Sequence, residues 1–348
     1  MSFKVSVQPA GHEFPVEQGQ TVLDAALAAG LVLPYSCRNG TCSTCRAHVV
    51  SGDYDAGPAP ARILDAADLA RGYTLLCQAR PSSDLVIEAQ EVHLASDVVV
   101  RRMPVRVRDL EPLAPDVMRI TLQLPSAEAF HFYPGQYLEF LLKDGRRRSY
   151  SMACAQAEDH HVEIHVRHMP GGAFTGPVFG EGDKPLGARD ILRIEGPLGS
   201  FFVREDDPRP IVFLASGTGF APLKAMVEGM RARGDRRPAV LYWGGRRPAD
   251  LYLSALAQGW EEQLPGFRYV PVLSDAVPED GWGGRTGWVH RAVMEDLPDL
   301  SGYQVYACGA PVMVEAARRD FVQHCGLSPD AFFADAFTSE ADKARSGS

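Results

Sequence analysis

Cys37-Arg38-Asn39-Gly40-Thr41-Cys42-Ser43-Thr44-Cys45 carries three cysteines within nine residues, and Cys77 follows after 31 intervening residues. This spacing, Cys-x4-Cys-x2-Cys with a distant fourth cysteine, is the plant-type pattern of a 2Fe–2S cluster. Small residues between the thiolates let backbone N–H groups approach the sulfurs. A structural zinc site is the alternative, although zinc ligands usually form two short Cys-x2-Cys pairs and Cys77 has no such neighbour. We therefore predict that the metal ligands are Cys37, Cys42, Cys45 and Cys77.

The sequence around the cysteines predicts a small sheet with one helix. Val5 and Val7, then Phe14 and Val16, alternate as two short strands on either side of a glycine turn. The alanine-rich segment 23–29 predicts a helix that Gly30 ends. We predict a β-grasp ferredoxin domain over residues 1–92.

The pattern of predicted secondary structure changes at two further points along the chain. Residues 93–103 predict a linker. Residues 104–205 contain short strands with frequent Gly and Pro, which is typical of a small antiparallel β-barrel. Residues 206–338 alternate buried strands with helices, which predicts an α/β domain with a parallel sheet. The polar tail 339–348 predicts disorder.

Composition excludes several classes of protein. A net charge of −9 argues against non-specific nucleic-acid binding. No apolar run approaches the ~20 residues that a membrane span needs. Seven cysteines, an odd number, argue against a disulfide framework. The first residues show no signal-peptide pattern, so we expect a cytoplasmic protein.

Arg148-Ser149-Tyr150-Ser151 follows a Pro-Gly turn at residues 134–135, and Gly171-Gly172-Ala173-Phe174-Thr175 lies downstream. These stretches resemble the ferredoxin–NADP reductase superfamily, whose flavin motifs are Arg-x-Tyr-Ser and Gly-Gly-x-x-Ser/Thr. The resemblance implies an FAD-binding barrel in which Arg148 pairs with the flavin pyrophosphate. It also implies that Tyr150 lies against the isoalloxazine and that Ser151 hydrogen-bonds near its N5.

The same resemblance extends the predicted FAD site. Gly171, Gly172 and Thr175 would open a helix whose amides hold phosphate. His165-Val166-Arg167 would run beside the ribityl chain and the diphosphate, although a solvated strand face remains the alternative for His165 and Arg167. Near the C-terminal end, Phe337 would cover the flavin, or it simply packs in the core.

A third motif follows a buried strand. Gly217-Thr218-Gly219-Phe220-Ala221-Pro222 joins the apolar run 211–215 to a helix, so its amides can approach a pyrophosphate. Cys308-Gly309 resembles the start of the superfamily's Cys-Gly-x-x-x-Met element, which lies beside the nicotinamide. Arg246 and Arg247 could neutralise the 2′-phosphate of NADPH, contact the diphosphate, or remain solvated. Relatives with a similar Gly-x-Arg followed by Asp-Leu often use NADH, which we therefore favour, with NADPH possible. For Asp250 we prefer a helix N-cap to a ribose ligand.

The three motifs together predict an NAD(P)H-dependent iron–sulfur flavoprotein reductase, with Ser151, Tyr150 and Cys308 as catalytic residues. FAD would take two electrons as hydride and pass them singly to the cluster and then to a protein acceptor. Stretches 193–197, 201–206 and 305–309 resemble the CDP-6-deoxy-Δ3,4-glucoseen reductases, and the phenol hydroxylase and toluene monooxygenase reductases share the architecture. We predict an oxygenase component as acceptor. The alternatives are a CDP-4-keto-6-deoxyglucose-3-dehydrase, or a non-catalytic redox or metal-binding protein.

Overall fold

The computed structural model describes residues 2–59, 61, 63–90, 92, 98–126, 129–156, 160–182 and 184–337. Three main sheets follow one another along these residues, and a two-stranded sheet accompanies the first of them. The first two main sheets each pack on one apolar core, and the third packs on two. The predicted multidomain fold is confirmed. The predicted disordered tail, residues 339–348, lies outside the described residues.

The first domain is a mixed five-stranded sheet crossed by one helix. Thr21 begins this helix because its hydroxyl accepts the amide hydrogen of Asp24 at 3.2 Å. Val22 and Leu23 bury the apolar face of the helix against the sheet. The sheet order is β2-β1-β7-β3-β5, with β1 and β7 as its parallel central pair, so the predicted β-grasp fold is confirmed. Its elements are β1 Ser2–Gln8, β2 His12–Glu17, α1 Val22–Ala28, β3 Arg46–Ser51, β4 Tyr54–Asp55, α2 Ala66–Ala70, β5 Tyr73–Leu75, β6 Arg80–Pro81 and β7 Leu85–Glu88.

The second domain is a six-stranded antiparallel barrel. Its elements are β8 Arg101–Ala114, β9 Val117–Gln123, β10 Tyr137–Leu141, β11 Arg147–Ser151, β12 His161–Arg167, α3 Thr175–Val178 and β13 Ile191–Leu198. The sheet order is β11-β10-β13-β8-β9-β12. An antiparallel bridge between Met152 and Ile164 joins the outer strands and closes the barrel.

Strand β8 begins earlier than the sequence suggests. Arg101 and Arg102 pair with Gly196 and Glu195 of β13, and Arg102 Nε lies 2.6 Å from the Glu195 carboxylate. The last three residues of the predicted linker 93–103 therefore belong to a strand, and residues 93–97 lie outside the described residues. The domain boundaries themselves stay a prediction.

The third domain is a parallel sheet with helices on both faces. Its elements are β14 Ile211–Ser216, α4 Phe220–Arg233, β15 Ala239–Gly245, α5 Ser254–Gln263, β16 Phe267–Leu273, β17 Arg285–Thr286, α6 Val289–Asp296, β18 Gln304–Gly309, α7 Pro311–His324 and β19 Phe332–Ala336. The order is β17-β16-β15-β14-β18-β19, so β14 and β18 are neighbours at the middle of the sheet. Loops after their carboxyl ends meet at one edge, where ligands of such sheets bind.

The loop between α1 and β3 packs against the barrel. The Tyr35 amide donates to Ser200 Oγ at 2.8 Å, and the Ser200 amide donates to the Tyr35 carbonyl at 3.0 Å. The Tyr137 hydroxyl donates to the Ser36 carbonyl at 3.1 Å. These hydrogen bonds hold the loop, which carries three of the motif cysteines, against the barrel. Among the described residues, no helix has the length and apolarity needed to cross a membrane.

Candidate functional site

The four motif cysteines lie together as two contacting pairs. The thiols of Cys37 and Cys42 are hydrogen-bonded, as are those of Cys45 and Cys77. Within each pair this hydrogen bond lowers the pKa of one thiol, Cys37 or Cys77, and raises the pKa of its partner, Cys42 or Cys45. One thiolate, the form that binds iron, is thus favoured in each pair. Two irons, each ligated by two thiolates, fit this arrangement.

Backbone and side-chain amides surround the same sulfurs. The Thr41 amide donates to Cys37 Sγ at 3.4 Å, and the Gln78 side chain donates to Cys77 Sγ at 3.6 Å. Gly40 reaches this geometry with a φ of +82°. The zinc alternative would instead gather all four thiols around one ion.

Strand β11 carries the Arg-x-Tyr-Ser motif along the rim of the barrel. Tyr150 packs against Phe140 and Phe174, with ring centroids 5.8 and 5.2 Å away. Ser151, at the end of the strand, is buried, whereas Ser149, two residues earlier on the same face, is exposed. The Arg148 guanidinium is half-buried and donates to the Arg147 carbonyl at 2.7 Å. An arginine at a barrel rim suits a pyrophosphate.

Strand β12 places the predicted His165 inside a polar network. Its ring nitrogens lie 2.8 Å from Glu163 Oε1 and 2.9 Å from the Tyr252 hydroxyl. Lys224 Nζ lies 3.2 Å from the same Glu163 oxygen. Val166 is fully buried in the barrel core. With both nitrogens engaged, His165 would contribute to FAD binding through its backbone or ring face, and its predicted role stays a prediction.

Arg167 is positioned differently, between the barrel and the glycine-rich turn. Its guanidinium lies beside Gly217, 3.5 Å from where a Cβ at that glycine would stand. Its Nη2 lies 3.3 Å from the Asp250 carboxylate, and its Nε lies 3.4 Å from that of Asp116, too poorly aligned for a hydrogen bond. The two carboxylates hold this guanidinium beside the glycine-rich turn, where an arginine fits the diphosphate of a dinucleotide.

The glycine pair after β12 makes room for a hydroxyl. Gly171 has a φ of +71°, and a Cβ at Gly172 would stand 2.2 Å from Thr175 Oγ1. Thr175 begins α3 and donates to the Met169 carbonyl at 2.8 Å. The predicted helix after this motif is therefore present, although it is only four residues long.

The third motif lies at the carboxyl edge of the parallel sheet. Gly217–Gly219 forms a 3-10 turn between β14 and α4, and Pro222 is buried in the first turn of α4. The Ala310 amide donates to Ser216 Oγ at 2.9 Å and links this turn to the segment after Cys308. The structure thus brings Gly217, Thr218, Gly219, Cys308 and Gly309 together.

The two arginines after β15 have acidic partners. Arg247 Nη2 lies 2.7 Å from Asp280, and Arg246, a largely exposed side chain, lies 3.6 Å from Asp250. The Asp250 carboxylate accepts the amides of both arginines at 2.8 and 3.2 Å. Asp250 is the third residue of the 3-10 turn Pro248–Asp250, and it caps this turn from inside. The predicted N-cap role is wrong, because Arg247 occupies the N-cap position.

One residue that the sequence analysis missed joins all three motifs. Asp335 on β19 accepts hydrogen bonds from Ser36 of the cysteine loop and, at 3.4 Å, from Ser151 of the flavin motif. It also pairs in register with Cys308 on the neighbouring strand β18. Burial raises the pKa of Asp335 to about 6. An isolated acid between alanines in the apolar stretch 332–337 is the signal that could have identified it.

Phe337 lies two residues beyond this carboxylate. Its amide donates to the Gly309 carbonyl at 2.8 Å, and its ring packs on the core of the parallel sheet. This packing agrees with the alternative that Phe337 is a core residue. Its role in covering the flavin stays a prediction.

Comparisons with known proteins agree with this architecture. Three family models match: a 2Fe-2S iron-sulfur cluster binding domain over residues 5–82, an oxidoreductase FAD-binding domain over 104–203 and an oxidoreductase NAD-binding domain over 213–319. The CDP-6-deoxy-L-threo-D-glycero-4-hexulose-3-dehydrase reductase of Yersinia pestis is 40% identical over 337 residues, which cover 97% of this chain and 99% of that protein.

Oxygenase reductases are similar over the same length. The phenol hydroxylase P5 protein of Acinetobacter pittii is 36% identical, and the alignment covers 99% of this chain and 97% of that protein. The crystal structure of the Amycolatopsis cytochrome P450 reductase GcoB superposes with a TM-score of 0.74 at 38% identity, covering 97% of this chain and 99% of that one. The chain therefore belongs to the iron–sulfur flavoprotein reductases, NAD(P)H oxidoreductases that combine a 2Fe–2S domain with FAD- and NAD-binding domains.

Proposed function

We propose that the three cofactor sites of this reductase meet around Asp335. In this proposal Cys37, Cys42, Cys45 and Cys77 hold the 2Fe–2S cluster. The FAD ligands are Arg148, Ser149, Tyr150, Ser151, His165, Val166, Arg167, Gly171, Gly172, Thr175 and Phe337. The nicotinamide coenzyme is held by Gly217, Thr218, Gly219, Pro222, Arg246, Arg247, Cys308 and Gly309. The observation that supports it best is the carboxylate of Asp335, which contacts the cysteine loop and the flavin motif and pairs with the Cys308 strand.

The residues around Asp335 orient the reacting groups. When bound, FAD supplies the conversion between hydride chemistry and one-electron chemistry. Ser151 is held by Asp335, so its hydroxyl position is fixed where the flavin motif ends. Cys308 is fully buried and pairs with Asp335, the residue that accepts a hydrogen bond from Ser151. Water is therefore excluded from the place proposed for the nicotinamide. Tyr150 offers a ring at the barrel rim for the isoalloxazine.

An anaerobic titration of the purified protein with NADH tests this function. We expect flavin and iron–sulfur bands in the visible spectrum, bleaching of the flavin by NADH, and the electron paramagnetic resonance (EPR) signal of a reduced 2Fe–2S cluster. A colourless protein that contains zinc would overturn the proposal and would favour the non-catalytic metal-binding alternative.

Replacing Arg148 with alanine should weaken FAD binding. A charge-assisted hydrogen bond contributes about 1.5–3 kcal/mol, so the dissociation constant should rise roughly 10- to 100-fold. Flavin content after gel filtration and fluorescence titration with FAD measure the change. Arg146→Ala is the matched control, because Arg146 pairs with Asp144 in the exposed turn before the strand. Equal FAD retention in the two variants would show that the pyrophosphate lies elsewhere.

We also propose that the coenzyme is NADH rather than NADPH. Arg247 is neutralised by Asp280, 2.7 Å away. Although burial opposes ionisation, the amides of Arg246 and Arg247 lower the pKa of Asp250, so this carboxylate is charged at neutral pH. Because these carboxylates are paired with Arg246 and Arg247, little positive charge beside the proposed adenosine ribose is left to bind a 2′-phosphate.

The Asp280→Ala variant should therefore use NADPH several-fold better relative to NADH, because Arg247 loses its carboxylate partner. The ratio of kcat/KM values for the two coenzymes measures the change. Glu279→Ala removes the same charge one residue away without breaking an ion pair with Arg247, and serves as the control. If Asp280→Ala and Glu279→Ala leave the same ratio, Arg247 does not face the 2′ position.

For the acceptor we propose an oxygenase component, as the names of the phenol hydroxylase and terephthalate dioxygenase relatives suggest. A hexulose-3-dehydrase is the second candidate, supported by the 40% identical reductase of Yersinia pestis. Reoxidation of the pre-reduced protein by each purified acceptor distinguishes the two, since only the physiological partner should accept electrons rapidly. A cytoplasmic location belongs to the same proposal, supported by seven free cysteines.

A further inference from the structure

Helix α7 of the NAD-binding domain extends to the cysteine loop. Cys42 is buried and belongs to an apolar cluster of that domain, which also contains Ala317 and Phe321 of α7. Thr44 donates to the Ala334 carbonyl at 2.7 Å on the neighbouring strand β19. The loop that wraps the thiols is thus covered by a domain whose own ligand is a nicotinamide coenzyme.

Arg318 of α7 is the charged residue at this contact. Its Nη1 donates to Ser43 Oγ at 2.6 Å, between Cys42 and Thr44 in sequence. Burial lowers the pKa of this guanidinium, while the Cys42 sulfur opposes the shift. An arginine nonetheless stays protonated in proteins, so a full positive charge lies against the loop.

This charge forms no ion pair within the part of the chain that the structure describes: no carboxylate oxygen lies within 4.0 Å of an Arg318 nitrogen, and Asp68 and Asp330 act on it only from farther away. Arg46, next to Cys45, by contrast pairs with Asp68 at 2.7 Å. A buried charge without a counter-charge in contact is unfavourable. Four thiolates and a 2Fe–2S core together carry two negative charges when oxidised and three when reduced. The cluster itself would therefore be the counter-charge.

We propose that Arg318 raises the reduction potential of the cluster and so favours electron transfer from the flavin to the iron. This inference rests on the proposed assignment of the cluster to Cys37, Cys42, Cys45 and Cys77. The step that it biases adds one electron, supplied by reduced FAD, to the oxidised cluster. Because the added negative charge would lie near the buried guanidinium that contacts the cysteine loop, Arg318 would stabilise the reduced cluster more than the oxidised one.

A redox titration followed by EPR tests this role in the complete protein. Arg318→Gln removes the charge and should lower the equilibrium constant for reducing the cluster about tenfold, which is about 59 mV for a one-electron couple. The flavin potential should not move. Arg318→Lys keeps the charge and should retain most of the wild-type cluster potential. Arg319→Gln is the matched control, because Arg319 is the next residue of α7, is mostly exposed and pairs with Asp320.

The outcomes separate the possibilities. A cluster potential in Arg318→Gln equal to that of Arg319→Gln overturns the proposal, as does an equal loss in Arg318→Lys, which would assign the effect to guanidinium geometry. If Arg318→Gln loses its cluster, Arg318→Met replaces it, since an apolar side chain suits the buried position. Loss of iron from both charge-free variants but not from Arg318→Lys would support the charge, and loss from all three would refute it. A wild-type protein without a 2Fe–2S signal would instead refute the cluster assignment.

Discussion

The Cys77→Ser protein should be reduced by NADH at its flavin but should deliver no electrons through a cluster. Cys77 and Cys45 form one of the two thiol pairs, so this change leaves Cys45 without its partner. A serine hydroxyl does not ionise near neutral pH and is a poor ligand for iron compared with a thiolate. The proposed FAD and coenzyme segments lie on β11, β12 and the parallel-sheet edge, which are other elements than those beside Cys77, so the change removes none of their atoms.

Three measurements check this prediction. Iron per flavin should fall to near zero, the EPR signal of the reduced cluster should vanish, and anaerobic bleaching of the flavin by NADH should keep its wild-type rate. Cys325→Ser is the control, because Cys325 is a free thiol buried in the core of the third domain. Cys77→Ser protein that keeps its iron would contradict the ligand assignment, and loss of FAD together with iron would contradict the independence of the two sites.

Local pattern was enough to predict the three main sheets and to single out the four cysteines that the structure brings together. The Cys-x4-Cys-x2-Cys spacing places its thiols on one loop whatever surrounds that loop, so its chemistry is visible in nine residues. Alternating valines likewise predict β1, and the continuous apolar run 211–215 predicts β14. Such features depend on neighbours within a few positions, which a single sequence records well.

The contacts between the domains could not be predicted from local patterns. Ser36 and Asp335 are 299 residues apart in sequence, and nothing local to either shows that they are hydrogen-bonded. The same holds for Ser43 and Arg318, which are 275 residues apart. Arg247 looked available for a phosphate because its partner Asp280 lies 33 residues later. Pairing of polar groups that are far apart in sequence is therefore the part of the structure that local patterns could not predict.

Gly219→Ala should damage the coenzyme site more than its one methyl group suggests. A Cβ at this position would stand 2.1 Å from the Cys308 carbonyl oxygen and 2.7 Å from Gly309 Cα. Both are backbone atoms, so no rotamer change can relieve the clash and the turn must move away from β18. Overpacking of this kind costs roughly 1–3 kcal/mol in stability. Because the moved turn also holds Gly217, reduction of the flavin by NADH should slow by roughly tenfold or more.

Thermal unfolding and stopped-flow reduction by NADH measure the two effects, with the iron–sulfur spectrum as a check that the first domain is intact. Gly302→Ala is the control, since nothing lies within 4 Å of a Cβ there and its φ is not positive. Wild-type stability and kinetics in Gly219→Ala would show that the turn has more room than its contacts indicate. Gly217 differs, because its φ of +52° rather than a clash requires glycine. The two glycines of this motif therefore have different roles. Gly217 allows the backbone conformation of the turn, and Gly219 lets the coenzyme segments after β14 and β18 lie in contact.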